Sequence, residues 1–326
     1  DQIENAEKVF DKWEKRGHKV VKRYRDERDA VEMPRMKFNI LWSNIQVLLP
    51  SLYGRQAKPE VSRRYMDQDP VGRLASTMLE RVIEYETTQF NDFDSAMFNA
   101  VQDRLLPGRG TAWIRYEPVI VGQPEPEGQE AELAQAGMGE EAQEGQISNV
   151  QEAVESIDSA HSPVDYVYWS DFIHSPARTW DEVWWVARAV YMTKEEGIER
   201  FGDVFKNVGL TATNTDKDAK NPLTANNSYE KKAKVFEIWN KRTFKVCWVA
   251  KGYPQSLDER DDPLELEGFF PCPKPLMATT TTGTMIPIPD YCEYEDQAQE
   301  LDNLTQRIYM LTKAAKVVGV FNAEFK

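Results

Sequence analysis

The chain has 326 residues, a net charge of −14 and an apolar content of 41 %. This length exceeds what one compact core usually holds, so we expect a folded protein with two or more substructures. Proteins that grip nucleic acid through its phosphates usually carry a basic surplus, so the charge argues against tight DNA binding by the whole surface. A surface that weakly repels DNA is compatible with this charge.

The three cysteines are Cys247, Cys272 and Cys292, and their spacing matches neither a zinc motif nor a redox pair. We expect free thiols in a reducing compartment. No apolar run approaches the length needed to cross a membrane, and no signal-peptide pattern opens the chain. The sequence therefore predicts a soluble protein without membrane contact, and no motif indicates a metal or a cofactor.

The first hundred residues predict four helices, because their apolar residues recur at intervals of three and four. The expected ranges are 1–29, 36–49, 70–90 and 92–106. Pro34 should end the first helix and Pro50 the second. The apolar face of the first comprises Ile3, Ala6, Phe10, Trp13, Val20 and Tyr24. That of the third comprises Val71, Leu74, Met78, Val82 and Tyr85.

Strands are expected after a turn at residues 107–110, where a proline and two glycines occur. Residues 111–121 predict strands because they are rich in aromatic and β-branched side chains. Residues 122–160 differ, since they are rich in Glu, Gln, Gly and Ala and contain no aromatic residue. We expect a mobile insert or a loosely helical excursion there, and an acidic docking site is the alternative.

The segment from residue 163 to residue 270 predicts further strands around one short helix. Expected strands are 164–175, 183–192, 234–239 and 244–250. Thr193 and Glu196 form a capping-box pattern, which predicts a helix that ends at Gly202. A polar loop or linker is expected at 209–230 and a charged loop at 258–262.

A long helix is predicted at residues 287–318, with two prolines at its start where a helix tolerates them. It would be roughly 40 Å long. Its acids lie in the first half and its bases in the second, which suits the helix dipole. A narrow apolar stripe is formed by Leu301, Leu304, Ile308, Leu311, Ala315 and Val318. The stripe predicts either an ordinary packing helix or a helix that packs beside copies of itself.

Motifs of catalysis are sparse. The chain has no phosphate-binding P-loop, and the sequence Gly-Arg-Gly-Thr at 108–111 predicts a turn. The remaining enzymatic hypothesis is a nucleophile set formed by Cys247, His174 and Asp171. Lone Cys and His residues in strands are usually packing groups, so we expect no enzyme.

Three stretches, 39–61, 103–118 and 288–308, resemble the portal proteins of tailed bacteriophages, with the large portals of short-tailed phages as the nearest kin. The resemblance implies a ring, usually of twelve subunits, at one vertex of the capsid in the virion. Double-stranded DNA passes through its channel, driven by a terminase. A head-tail adaptor or tail protein docks on the ring, and the major capsid and scaffolding proteins surround it.

The implied fold is α+β. The wing would occupy residues 1–230, with the acidic insert at its periphery, and a small β-rich clip would occupy 231–286. Residues 287–318 would form the stem helix. Residues 319–326 would begin a following segment that leads to a channel loop and a crown. A head-tail connector or neck protein with another fold is the alternative.

The resemblance also implies roles for individual residues. Stem packing is assigned to Leu301, Leu304, Ile308 and Leu311. Positions near the DNA channel are assigned to Glu300, Arg307, Lys313 and Lys316, with dipole complementation or intersubunit pairing as the alternative for the three bases. Clip packing, or docking of terminase or adaptor, is assigned to Trp239, Arg242, Phe244, Trp248 and Phe269.

Overall fold

The computed structural model describes residues 2–27, 39–63, 65, 69–90, 92–121, 156–212 and 231–315. The chain mixes helix and sheet, as expected for the α+β class. It divides into two compact units. The larger unit comprises Asp1–Lys58, Phe93–Trp113 and Asp165–Lys326, and the smaller comprises Pro59–Asp92 and Ile114–Val164.

The described residues form six α-helices and thirteen strands. The helices are α1 (Gln2–Tyr24), α2 (Ile40–Leu52), α3 (Pro70–Tyr85), α4 (Phe93–Leu105), α5 (Lys194–Phe201) and α6 (Glu295–Ala314). The strands are β1 (Arg109–Ile114), β2 (Glu117–Val121), β3 (Ser156–His161), β4 (Val164–Val167), β5 (Phe172–His174), β6 (Trp185–Met192), β7 (Thr211–Ala212), β8 (Lys231–Asn240), β9 (Lys245–Ala250), β10 (Ser256–Asp261), β11 (Leu276–Met277), β12 (Thr279–Thr280) and β13 (Pro287–Ile288).

A six-stranded antiparallel sheet organises the larger unit. Its strands lie in the order β10-β9-β8-β6-β5, and β7 pairs with β8. The longest ladder joins β6 to β8 through eight residue pairs, from Trp185 and Asn240 to Met192 and Ala233. The boundary expected at residue 231 therefore falls at the start of a central strand. Because this sheet joins strands of the expected wing to strands of the expected clip, both belong to one compact unit.

Helix α1 packs on one face of this sheet, and its predicted apolar face is confirmed. Phe10 and Trp13 are buried in a cluster with Trp169 and Trp185. The Trp13 indole Nε1 donates to the carbonyl of Pro107 at 2.9 Å, which satisfies its polar atom inside the core. The opposite face of the sheet is covered by a second cluster that contains Trp113, Phe172, Trp239, Trp248 and Phe269.

Proline has a smaller effect on α2 than expected. The helix starts at Ile40, where the Asn39 side chain accepts from the Trp42 N–H, and it continues through Pro50 to Leu52. The prediction that it ends at Pro50 is wrong. Pro50 removes only the hydrogen bond to the carbonyl of Gln46, and Gln46 is exposed, so water can satisfy that carbonyl. Pro34, the expected end of α1, lies outside the described residues.

Two expected loops contain strands. Residues 258–262 were predicted to be a charged loop, but β10 occupies most of them and pairs with β9. It is one edge strand of the six-stranded sheet, and edge strands tolerate charged side chains that block further pairing. Within the segment predicted to be a mobile insert, β3 pairs with β2. Residues 122–155 and most of the predicted polar loop, 213–230, lie outside the described residues.

Helix α5 carries the capping box that its sequence predicts. The Thr193 hydroxyl accepts from the Glu196 N–H at 3.3 Å, and the Glu196 carboxylate accepts from the Thr193 N–H at 2.9 Å. Gly202 ends the helix with a φ of 68°, a backbone conformation that favours glycine.

Removing this cap tests its contribution to stability. Thr193→Ala deletes the hydroxyl acceptor and should lower the free energy of unfolding by about 1 kcal/mol. Thr193→Ser retains an acceptor and should stay within a few tenths of a kcal/mol of the wild type. Urea unfolding followed by circular dichroism measures both changes. Equal destabilisation by the two variants would contradict the capping role.

The smaller unit is held together by polar contacts. Helix α3 is followed by a π-helical turn, and Glu86 of this turn pairs with His161 at the end of the β2–β3 hairpin, with 2.9 Å between Oε1 and Nδ1. The Glu80 carboxylate accepts from the Val61 N–H at 3.2 Å. Among the side chains of the smaller unit whose burial the structure describes, no apolar one is buried.

Candidate interaction surfaces

Helix α6 is shorter than predicted. Pro287 and Ile288 belong to β13, which pairs with β12, and residues 290–293 form a 3-10 turn. The α-helix begins at Glu295. The expected start at residue 287 is wrong because Pro287 pairs with Thr280 and Ile288 pairs with Thr279, seven and nine positions away, which makes both residues part of a strand. The expected end at Val318 and the position of Lys316 lie outside the described residues.

The first half of α6 is anchored to α1. The Arg23 guanidinium contacts the Asp302 carboxylate at 2.6 Å, and both side chains are largely buried. The Lys19 ammonium contacts Glu295 at 2.5 Å, and this ion pair raises the pKa of Lys19. Ala298 is buried in the same cluster as Val20 of α1. These contacts fix one side of the helix against its own subunit.

The predicted stripe of α6 lies on the other side of the helix and is exposed. At 100° per residue, the stripe centre is about 130° around the helix axis from the side that carries Glu295, Ala298 and Asp302. The exposed fraction of the stripe rises along the helix, to 63 % at Ile308 and 70 % at Leu311. All four predicted stem-packing residues are exposed in the subunit: Leu301, Leu304, Ile308 and Leu311.

The charged side chains assigned to the channel are also exposed where they are described. Glu300, Arg307 and Lys313 all project from α6 into solvent. The Lys313 ammonium lies 5.7 Å from the centre of the Tyr309 ring. Glu300 and Arg307 flank the apolar stripe on one side, seven residues apart and thus two turns along the helix. Acidic side chains dominate the first two turns of α6, and bases occur only after them within this helix.

Three of the five residues assigned to the clip lie in the core of the larger unit. Trp239, Trp248 and Phe269 are buried in the cluster that covers one face of the sheet. The Trp239 indole Nε1 donates to the Glu237 carboxylate at 2.9 Å, and Phe269 packs edge-on against the Trp239 ring at 5.5 Å. These three side chains pack locally and offer no surface to a partner.

The other two clip residues lie at the exposed turn between β8 and β9. Phe244 is 55 % exposed, and its ring contacts that of Phe269 at 5.5 Å. Its φ of 53° places a bulky residue in the left-handed region, where backbone strain is stored. The Arg242 guanidinium covers the Trp184 ring at 4.2 Å. This turn therefore exposes an aromatic and a cationic side chain to solvent between two paired strands.

The structure does not bring the predicted nucleophile set together. His174 on β5 and Val246 on β9 lie in register across four adjacent strands of the sheet. Three strand spacings separate them, which is a distance of about 14 Å. Cys247 follows Val246 and points to the opposite face of the sheet. Asp171 accepts from the Tyr191 hydroxyl at 3.0 Å. His174 lines a pocket of about 390 Å³ whose lining includes neither of the other two members.

A buried arginine is the polar centre that sequence reasoning missed. Arg109, in the segment predicted to be a turn, is 1 % exposed. It donates to the carbonyls of Trp169 at 2.8 Å and Phe172 at 2.6 Å, and its guanidinium lies 4.3 Å from the Trp13 ring. Burial lowers its pKa to about 9, against the opposing effect of Asp103. The glycine on each side was the available signal, because small residues allow close packing around it.

Asp103 is the buried acid of the same region. Its carboxylate accepts from the Tyr166 hydroxyl and from the Trp169 N–H. Burial raises its pKa to about 7, while these two hydrogen bonds and the charge of Arg109 act in the opposite direction. The group ties the end of α4 to β4 and to the turn after it, so its role is to hold the larger unit together.

His174 predicts a pH dependence of stability. Burial, followed by the charge of Arg109, lowers its pKa from 6.5 to about 4, so the ring is neutral in the folded protein. As pH falls from 6.5 to 4, the unfolded chain gains a proton that the folded chain does not bind, and stability is lost. The loss should be about 3 kcal/mol. The difference in unfolding free energy between the wild type and His174→Gln should therefore shrink by that amount over this range. A difference that is constant with pH would contradict a neutral buried ring.

No group of three or more His, Cys, Asp or Glu side chains within the described ranges is placed to hold a metal ion. None of the helices that the structure describes combines the length and apolarity needed to cross a bilayer. No protein-family model matches the chain, and no curated protein matches it at a significant level.

Proposed function

We propose that this chain is a portal protein of a tailed bacteriophage. In this proposal its copies form the ring at one capsid vertex through which terminase drives double-stranded DNA, and through which the DNA later leaves. The ring also docks the head-tail adaptor and contacts the major capsid and scaffolding proteins. The protein itself performs no chemistry, and the larger and smaller units together form the wing, the clip and the stem.

The observation that carries the proposal is the exposed apolar stripe of α6. A monomeric protein rarely exposes a row of leucine-like side chains on an ordered helix, and such a row usually marks an interface. Ion pairs fix the opposite side of α6 to α1, so the stripe is held in place for a partner. The three stretches that resemble portal proteins occur in the portal order, and the third stretch, 288–308, includes the first part of this stripe.

The charges of α6 suit a helix near a DNA channel. Exposed acids such as Glu300 repel phosphate, so DNA would slide past them instead of being held. Arg307 and Lys313 supply two exposed cations that could slow the DNA. The net charge of −14 agrees with a conduit, because a tight DNA binder would carry the opposite sign.

Binding of the cognate terminase to purified rings tests the function directly. Rings that capture terminase in a pull-down support the portal proposal. Rings that form but bind only tail-side proteins would instead favour a head-tail connector. Cys247→Ala serves as the control for the enzymatic hypothesis. A portal should assemble and package DNA unchanged with this variant, and a loss of function would contradict a purely structural role.

A further inference from the structure

Helix α3 carries a second exposed apolar stripe, which the function proposed above does not use. Val71 is 73 % exposed and Met78 is 61 % exposed. The complete stripe comprises Val71, Leu74, Met78, Val82 and Tyr85. The less exposed side of α3 contains Gly72, beneath the Arg63 guanidinium, and Glu80. At 100° per residue the stripe centre lies about 160° around the axis from that side.

The smaller unit needs this stripe to be covered. A 16-residue helix is marginal by itself in water, and so is an isolated two-stranded hairpin. Helices in proteins are stabilised mainly by burying an apolar face. Among the side chains of the smaller unit whose burial the structure describes, no apolar one is buried, although α3 has five suitable residues in one row. Nothing in the described part of the smaller unit covers the α3 stripe, so the stabilising contact of α3 comes from outside that part.

Ring symmetry indicates which surface this is. If the α6 stripe packed on the same stripe of another copy, the contact would be isologous and would close at two subunits. A ring needs two different surfaces on each subunit, one for each neighbour. The stripes of α3 and α6 are two such surfaces. The α3 stripe is about 20 Å long, which is enough to cover the α6 stripe of about 15 Å.

We propose that the α3 stripe of one copy packs against the α6 stripe of the next copy. The occupant of the α3 surface is thus a second copy of this chain, and the contact is heterologous. This inference rests on the proposed function only in requiring a ring. It adds the partner of the α6 stripe and assigns an assembly role to the smaller unit.

Disulfide trapping in the full chain tests the pairing. The parent carries Cys247→Ser and Cys292→Ser, which remove the two partly exposed thiols, while buried Cys272 is retained. One cysteine is placed on α3 at position 74 or 78 and one on α6 at 304 or 308, which gives four double variants. A disulfide requires Cα atoms within about 7 Å, so only facing positions can form one. At least one double variant should give a ladder of covalent oligomers on a non-reducing gel after mild oxidation.

The single variants and a matched pair provide the controls. Met78→Cys alone and Leu304→Cys alone should remain monomeric on the gel. Thr77→Cys lies about 100° around α3 from position 78, so its combination with Leu304→Cys should give no ladder. Covalent dimers from Leu304→Cys alone would show that α6 pairs with itself and would overturn the inference. An intramolecular disulfide in a double variant would show that the subunit covers α3 itself, with the same consequence.

Failure of the inference can be told from failure of the proposed function. If the parent forms rings but none of the four double variants gives a ladder, the inferred α3–α6 contact is wrong and the proposed ring is still supported. If the parent is monomeric at all concentrations, both the portal proposal and the α3–α6 contact are contradicted.

Discussion

Replacing Ile308 by aspartate is expected to abolish ring assembly while leaving the subunit folded. Ile308 lies in the middle of the α6 stripe and is largely exposed in the subunit. A carboxylate at an exposed helical position changes subunit stability by about 0.5 kcal/mol or less. In the assembled ring the same carboxylate would be buried without a partner, which costs several kcal/mol at every interface. Leu304→Asp should act in the same way.

Asn303→Asp is the matched control for these variants. It introduces the same charge on the same helix, at a position about 140° around the axis from Ile308. It should leave assembly unchanged. Native mass spectrometry measures the oligomers, and thermal unfolding of the dissociated subunit measures the fold. Intact rings of the Ile308→Asp protein would contradict the assignment of the stripe to an interface.

The largest loss of subunit stability is expected from Arg109→Ala. The change removes the donor to two buried carbonyls and leaves a cavity among Phe10, Trp13 and Phe172. Each unsatisfied carbonyl costs about 1–3 kcal/mol, and the cavity adds to this. We expect the free energy of unfolding to fall by about 3–5 kcal/mol.

Arg104→Ala tests whether the effect of Arg109→Ala depends on burial. Arg104 contacts Asp290 at 2.6 Å, but both side chains are partly exposed. Such a pair contributes about 1 kcal/mol or less. Chemical unfolding of both variants should therefore show a difference of at least about 2 kcal/mol between them. Equal losses would contradict the view that Arg109 is a structural centre of the larger unit.

Local patterns predicted the helices well. The face of α1 that contains Phe10, Trp13 and Val20 is buried as its periodicity indicates. The spacing of apolar residues in an amphipathic helix predicts which face contacts the core. The stripe of α3 is equally periodic, yet it is exposed in the subunit. Periodicity predicts an apolar face but does not show whether the subunit itself covers that face.

Long-range pairing accounts for most of the errors. Pro287 could start a helix by local rules, but its pairing with Thr280 makes it part of a strand. Residues 258–261 look like a charged loop, and only the neighbouring strand β9 makes them a sheet edge. The buried position of Arg109 depends on contacts with residues 60 or more positions away. Apart from the glycine on each side of Arg109, the local sequence gives no sign of these contacts.

The candidate interaction residues differ in their exposure. The α6 stripe is exposed in the subunit, and so are Arg242 and Phe244 at the β8–β9 turn. Trp239, Trp248 and Phe269 are buried in the core of the larger unit, and the aromatic pattern of their sequence does not distinguish packing from docking. The exposure of the α3 stripe could not be predicted, because its periodicity is the same as that of a face covered within the subunit.

Negative-stain electron microscopy of the purified full-length protein tests the central claim most directly. The portal proposal predicts closed rings with a central hole, and the symmetry of their class averages would give the number of subunits. Compact single subunits at high protein concentration would contradict it, because the stripes of α3 and α6 would then be exposed without forming an interface.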